Sequence, residues 1–122
     1  AFLMVGGTTS SVQAMVLSCC KKGDKIILPR NVHRSVINAL VLCGAIPIYV
    51  NPDVDHNLGI SLGMKVSQVE MAIQKHPDAV AVFVNNPTYY GICSDLKPME
   101  HIFILERICR FRQWRQGQIW HL

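Results

Sequence analysis

Two short stretches hold residues able to act together on a ligand. Gly6-Gly7-Thr8-Thr9-Ser10 places two glycines beside three small hydroxyls. About twenty residues further on, Asn31-Val32-His33-Arg34-Ser35 places an imidazole among polar neighbours. Each stretch follows an apolar run and opens a helical pattern, so a parallel sheet would bring both to the same edge. The first offers N–H groups and hydroxyls to a phosphate. The second offers a flat aromatic ring. A planar, phosphorylated ligand would use both.

Simpler readings stand beside these. Ser and Thr are favoured at helix starts for capping alone. The first stretch lacks the Lys of GxxxxGK[ST], and it is not GxGxxG either. His33 at a helix start is equally a capping or surface residue. It has no His or Cys companion at metal-ligand spacing, so no metal site is expected. Stacking on a ring and proton transfer beside one both stay open for it. A third segment, Asn85-Asn86-Pro87-Thr88-Tyr89-Tyr90-Gly91, follows the most hydrophobic run of the chain. Its Asn, Pro and Gly are ordinary turn residues, although two adjacent tyrosines exceed what a turn requires.

The elements that would carry these segments alternate. Ala1–Val5 reads as a short buried strand. Val12, Met15, Val16 and Cys19 recur at helical steps over Ser11–Cys20, with Lys21–Lys22 in the last turn and Gly23 as the stop. Lys25–Leu28 is a strand closed by Pro29. His33–Gly44 repeats the helical stripe through Val36, Ile37, Leu40 and Val41, with Ser35 and Asn31 near its start and Gly44 as its end. Ile46–Val50 is a strand whose Pro47 argues for an edge position or a strand start. Asn51–Gly63 reads as a loop, and Val66–Lys75 as a helix with Val66, Val69 and Ile73 facing inward. Ala79–Val84 is a strand covered on both faces. Leu96–Gln116 reads as a helix, and the strand alternation does not resume. Strand alternating with helix predicts an α/β fold with a mostly parallel sheet, an incomplete three-layer α/β/α arrangement.

Composition narrows the function classes. Half of the 122 residues are hydrophobic and 16% are charged, as in globular proteins. No apolar run reaches the roughly 18 residues that span a bilayer, and Ala1–Val5 is too short for a secretory signal. Five cysteines with no CxxC spacing suit a reduced, cytoplasmic protein. The formal net charge of +4 is concentrated at the end of the chain. Residues 1–100 hold eight Lys/Arg against seven Asp/Glu, whereas residues 101–122 hold four Arg against Glu106 alone. With no nucleic-acid motif and a nearly neutral body, neither nucleic acid nor membrane is expected as a partner.

Taken in order, GGTTSSVQAM, GDKIILPRNVHRSVINAL, GAIPIYV, Gly59–Ile60 and NPTYYGICSDL resemble the bacterial Orn/Lys/Arg decarboxylases. The likeness is to the family's major domain, of the pyridoxal-phosphate-dependent aspartate-aminotransferase fold type. It covers about residues 1–97, and PRNVHRS followed by NPTYYG is hard to meet by accident. The resemblance implies pyridoxal 5′-phosphate as cofactor, a small amino acid substrate (Lys, Orn or Arg) and homo-oligomers for the intact family. It implies that Gly7, Thr8, Thr9 and Ser10 hold the cofactor phosphate. It also implies that the His33 ring stacks on the pyridine face and that Thr88 borders the cofactor. The implied strand order is 3-2-4-5-6-7-1, of which this chain would hold the first four strands.

Two departures accompany the likeness. Gly6 stands where the family usually has a polar residue, often Asn. The family also continues past SDL to Asp-x-Ala-His, whose Asp pairs with the pyridinium nitrogen, and to Ser-x-His-Lys, whose Lys forms the Schiff base. Neither motif occurs in this sequence. No catalytic residue is therefore assigned, and the chain alone is expected to be inactive. Residues 98–122 read as a divergent basic tail, as a truncated or frameshifted remnant would carry. The alternatives are a non-catalytic α/β module binding a phosphorylated ligand and a pseudogene product.

Overall fold

The computed structural model describes residues 5–99 and 109–112. In chain order the elements are α1 (Gly7–Cys19), β1 (Lys25–Pro29), α2 (Arg34–Cys43), β2 (Ile46–Val50), β3 (Val54–Asp55), β4 (Ile60–Ser61), α3 (Val66–Lys75), β5 (Ala79–Val84) and β6 (Cys109–Arg112). A further helical turn covers 96–99. The strand expected over Ala1–Val5 lies outside the described residues, save Val5, which sits in a turn.

Among the described residues four strands form one sheet in the order β2-β1-β5-β6, and every pairing in it is parallel. Their apolar residues alternate between two cores, as period-two geometry requires. Ile26, Leu28, Ala81 and Phe83 face α1 and α2, packing with Val12, Val16, Val36 and Leu40. Ile27, Val82 and Val84 face the other way, with Val69 and Ile73 of α3 and with Met99. Helices therefore cover both faces of β1 and β5, whose middle residues are fully buried. That explains why both strands read as unbroken apolar runs.

The helix boundaries follow local chemistry. α2 ends at Gly44, which takes the left-handed conformation (φ 71°) and donates its N–H to the Leu40 carbonyl. α1 stops at Cys19, short of the expected Lys21–Lys22 turn. There the Asp24 carboxylate accepts the Lys21 N–H at 2.8 Å while the Asp24 N–H donates to the Lys21 carbonyl at 3.1 Å. This closed turn competes with one more turn of helix. At its other end α1 begins at Gly7 rather than Ser11, a turn earlier than its apolar stripe shows.

Two segments depart from the periodicity. Asn51–Gly63 contains the antiparallel β3–β4 ribbon, turned by Asp55 Oδ1, which accepts N–H groups from Asn57 (2.8 Å) and Leu58 (3.2 Å). Strands of two residues are too short to show a period. A continuous helix over Leu96–Gln116 does not form, since Cys109–Arg112 pairs in parallel with Ala81–Val84. Non-local strand pairing overrides local helical preference at those positions. The rest of that span lies outside the described residues.

At the amino ends of the central strands, Lys25 Nζ stands 2.7 Å from Asp78 Oδ2. The hydrogen bond from Lys25 holds the Asp78 carboxyl below its ordinary value. A carboxyl with a depressed folded-state pKa contributes stability above its unfolded value and loses it as pH falls through the folded one. Replacing Lys25 with Met should therefore move the Asp78 midpoint upward toward that of an isolated aspartate, as followed by carboxyl NMR. It should also remove Asp78's share of acid-dependent stability. An unchanged midpoint would show the pair to be absent in solution.

Candidate functional site

In a parallel sheet the carboxyl ends of all strands lie along one edge. Three chain segments converge there: the start of α1, the β1–α2 connection and the residues that leave β5. They enclose a cavity of about 280 Å³ lined by Thr8, Thr9 and Val12 of α1, by His33, Ser35 and Val36 at the start of α2, and by Phe83 and Asn85. Val12, Val36 and Phe83 belong to the buried core and form an apolar floor. The rim is polar, and none of the eight lining residues is an acid, a Lys or an Arg.

The start of α1 shapes one wall. Its N-cap is Gly6, no side chain caps the helix, and no acidic residue sits in its first turn. Gly7 has φ +76°, a conformation that L side chains rarely adopt. The first amides of a helix lack intrahelical acceptors, and they carry the positive end of its dipole. Here they stand beside the Thr8 and Thr9 hydroxyls. Ser10 does not join them: its Oγ donates back to the Gly7 carbonyl at 2.9 Å, as Ser11 Oγ does at 3.2 Å. So the hydroxyls after Gly7 divide, with two lining the cavity and two bonded to their own helix.

His33 forms the opposite wall and does what its simpler reading expected. It is the N-cap of α2, and its Nδ1 accepts the Ser35 N–H at 3.1 Å. Capping does not remove it from the cavity, because a ring held by one nitrogen still presents its faces and its other nitrogen. The sequence named Thr8, Thr9 and His33, and the fold brings these three together. Ser35 and Asn85, which the sequence placed in the second and third stretches without giving either a role, join them in the lining. The signal for Asn85 was its place directly after Val84, at the carboxyl end of a strand covered on both faces.

Thr88 is buried, yet it lies outside the cavity lining. Its Oγ1 accepts the Ile92 N–H at 3.2 Å, and its own N–H donates to the Ile92 carbonyl at 2.8 Å. Its side chain therefore helps to close the 88–92 turn. That turn carries Tyr89 and Tyr90, an edge-to-face pair with ring centroids 5.4 Å apart. Nearby, Asn86 Oδ1 accepts the Ser94 N–H at 2.8 Å, and Ser94 Oγ accepts the Met64 N–H at 3.1 Å. These bonds tie the residues leaving β5 to the start of α3. Among the described residues no cluster of His, Cys, Asp or Glu could hold a metal ion, and no helix is long and apolar enough to cross a membrane.

Comparison with known proteins gives this geometry a context. A sequence model of the Orn/Lys/Arg decarboxylase major domain matches residues 1–109. Over 96 residues, 79% of this chain, the sequence is 47% identical to the arginine decarboxylase of Bacillus subtilis. It is 27% identical over 104 residues to a lysine decarboxylase of Pseudomonas aeruginosa. The chain spans about a fifth of the length of the Bacillus subtilis protein, the match covering 20% of it. The fold is that of the pyridoxal-phosphate-dependent aminotransferases. The N-succinyldiaminopimelate aminotransferase of Mycobacterium tuberculosis superposes with a TM-score of 0.70 at 19% identity, over 84% of this chain and 26% of that one. A PLP-bound structure from Clostridium difficile 630 gives 0.66 at 18% identity, over 84% and 26%.

The cap bond to Nδ1 makes His33 answerable to substitution. His33→Ala removes the acceptor and should weaken the first turn of α2 by about 1 kcal/mol. His33→Asn restores a short capping oxygen and should leave that turn close to the parent. Amide hydrogen exchange at Ser35 and Val36 reads the difference, and equal exchange in the two variants would rule out the cap.

Proposed function

This chain belongs to the Orn/Lys/Arg decarboxylase family, and we propose that it forms part of a pyridoxal-phosphate-dependent decarboxylase of a basic amino acid. The observation that carries the reading is the single cavity shared by Thr8, Thr9 and His33. Arginine is the substrate named for the Bacillus relative at 47% identity, so it is the amino acid to test first.

The residues present fit the cofactor. A phosphate needs donors and positive potential without a competing carboxylate. The start of α1 supplies both, with Gly7 giving the tight entry and Thr8 and Thr9 the hydroxyls. A flat heteroaromatic ring needs a matching face and an apolar floor. His33 supplies the face, and Val12, Val36 and Phe83 supply the floor. Bound there, pyridoxal phosphate would supply the electron sink that takes up the charge left on Cα when CO₂ departs. The chain's own contribution is to grip the phosphate, orient the ring and keep water from its buried side. Ser10 and Thr88 act at one remove, holding the two turns in shape.

Within 122 residues there is no Asp-x-Ala-His and no Ser-x-His-Lys. On this reading the polypeptide binds the cofactor without decarboxylating an amino acid.

Pyridoxine 5′-phosphate is the suitable probe, since it keeps the ring and phosphate but has no aldehyde to react with Lys25 or Lys65. Thr8→Val and Thr9→Val should each weaken its binding about tenfold or more, the scale of a hydrogen bond to a charged group. His33→Asn, which keeps the cap, should weaken it about threefold to tenfold through lost stacking. Equilibrium dialysis measures all three. Loss in the threonine variants with none in His33→Asn would point instead to a phosphate-binding module indifferent to the ring. No binding by the parent chain would overturn the proposal.

A further inference from the structure

The geometry points to Ser35 as a positioning residue that locks His33 in its Nε2–H tautomer, so that His33 meets a ligand with a ring face and an N–H donor and not with a basic nitrogen. A neutral imidazole has one donor nitrogen and one acceptor nitrogen. The Ser35 backbone N–H can only donate, and it is directed at His33 Nδ1 from 3.1 Å. Nδ1 therefore carries the lone pair, and the proton belongs on Nε2. A proton on Nδ1 would set two donors against each other at the first turn of α2.

The hydroxyl of the same serine reinforces this assignment. Ser35 Oγ lies 2.9 Å from Nδ1, and Ser35 is only 4% exposed. A buried hydroxyl needs a partner, and with Nδ1 already an acceptor, the hydroxyl proton turns toward it. Two donors from one residue then address a single ring nitrogen from different directions. The backbone bond fixes the tautomer, and the hydroxyl resists rotation about χ2. Both residues line the same cavity as Thr8 and Thr9, so the fixed ring borders whatever occupies it.

On this assignment His33 is suited to stacking on a ring and not to taking up a proton beside it, the two roles that sequence left open. The nitrogen with a free lone pair is engaged by Ser35, and the nitrogen left for a ligand bears hydrogen. Such a ring can stack and can donate to an anionic or carbonyl oxygen. It cannot accept a proton at the cavity without first breaking its bond to Ser35. The consequence for a ligand rests on the cofactor reading above, whereas the tautomer itself does not.

The two can be tested apart. Long-range ¹H–¹⁵N correlation of the full chain, without ligand and with His33 assigned by its loss in His33→Asn, should show the Nε2–H pattern. An Nδ1–H pattern, or an even mixture of the two, would overturn the proposal. Ser35→Ala keeps the backbone donor and removes the hydroxyl. It should shift the Nδ1 resonance and weaken pyridoxine 5′-phosphate binding about threefold to tenfold, with Ser35→Thr restoring both. A Ser35→Ala chain whose Nδ1 resonance matches the parent would also overturn it, whatever its stability. If the parent chain shows the Nε2–H form yet binds no pyridoxine 5′-phosphate, the cofactor reading fails and the tautomer assignment stands.

Discussion

Burial of β1 and β5 on both faces is the constraint from which the other features follow. A strand covered on each side must be apolar at every position, and it must keep a fixed register so that neither core receives the other's side chains. Ile26 and Leu28 serve one core while Ile27 serves the other, and Ala81 and Phe83 oppose Val82 and Val84 in the same way. Parallel pairing at that register brings the carboxyl ends of the central strands level. The residues that leave those ends have no freedom to separate. Thr8, His33 and Asn85 are neighbours because Phe83 and Val36 are packed beneath them.

The cavity is built from ends of helices rather than from charged side chains. At α1 the chain leaves the helix start without a side-chain cap, whereas at α2 it fills the corresponding position with an imidazole. The two helices pack on the same face of the sheet, so one open start and one capped start face each other across a small gap. The open start attracts negative charge. The capped one presents a rigid plane. Neither contribution depends on a Lys or an Arg, which is unusual for a site proposed to hold a phosphate and places the burden on backbone geometry at Gly6 and Gly7.

Much of this was legible in the sequence, for reasons that differ by element. α2 was readable at both ends because its apolar stripe, its polar start and Gly44 all agree. β1 and β5 were readable because double coverage leaves no polar interruption. The start of α1 was blurred, since a first turn made of Gly, Thr and Ser carries no period, and the helix opens at Gly7 ahead of the apolar stripe that begins at Val12. β3 and β4 were too short to register, and β6 contradicted local helical patterning because its partner lies far away in sequence. At the site, the family likeness implied that Ser10 and Thr88 would meet a ligand. A likeness of letters could not reveal that each hydroxyl also bonds nearby backbone. Conversely, nothing in the letters alone would have directed attention to Ser35 as the neighbour of Nδ1.

Pro47 has a consequence that concerns other copies of the molecule. The Ile46 N–H reaches Asp24, and the Val50 carbonyl receives the Arg30 N–H, so those two residues of β2 face β1. By alternation Pro47 and Tyr49 face away, along the outer rim of the sheet. A rim normally offers each such N–H to any passing extended peptide, and fibrils grow by that route. Here the ring nitrogen of Pro47 has no hydrogen to offer, so among the described residues Tyr49 is the one interior amide of β2 that faces away from β1. The rim is thus a poor template for strand recruitment, a built-in guard against self-assembly on that flank.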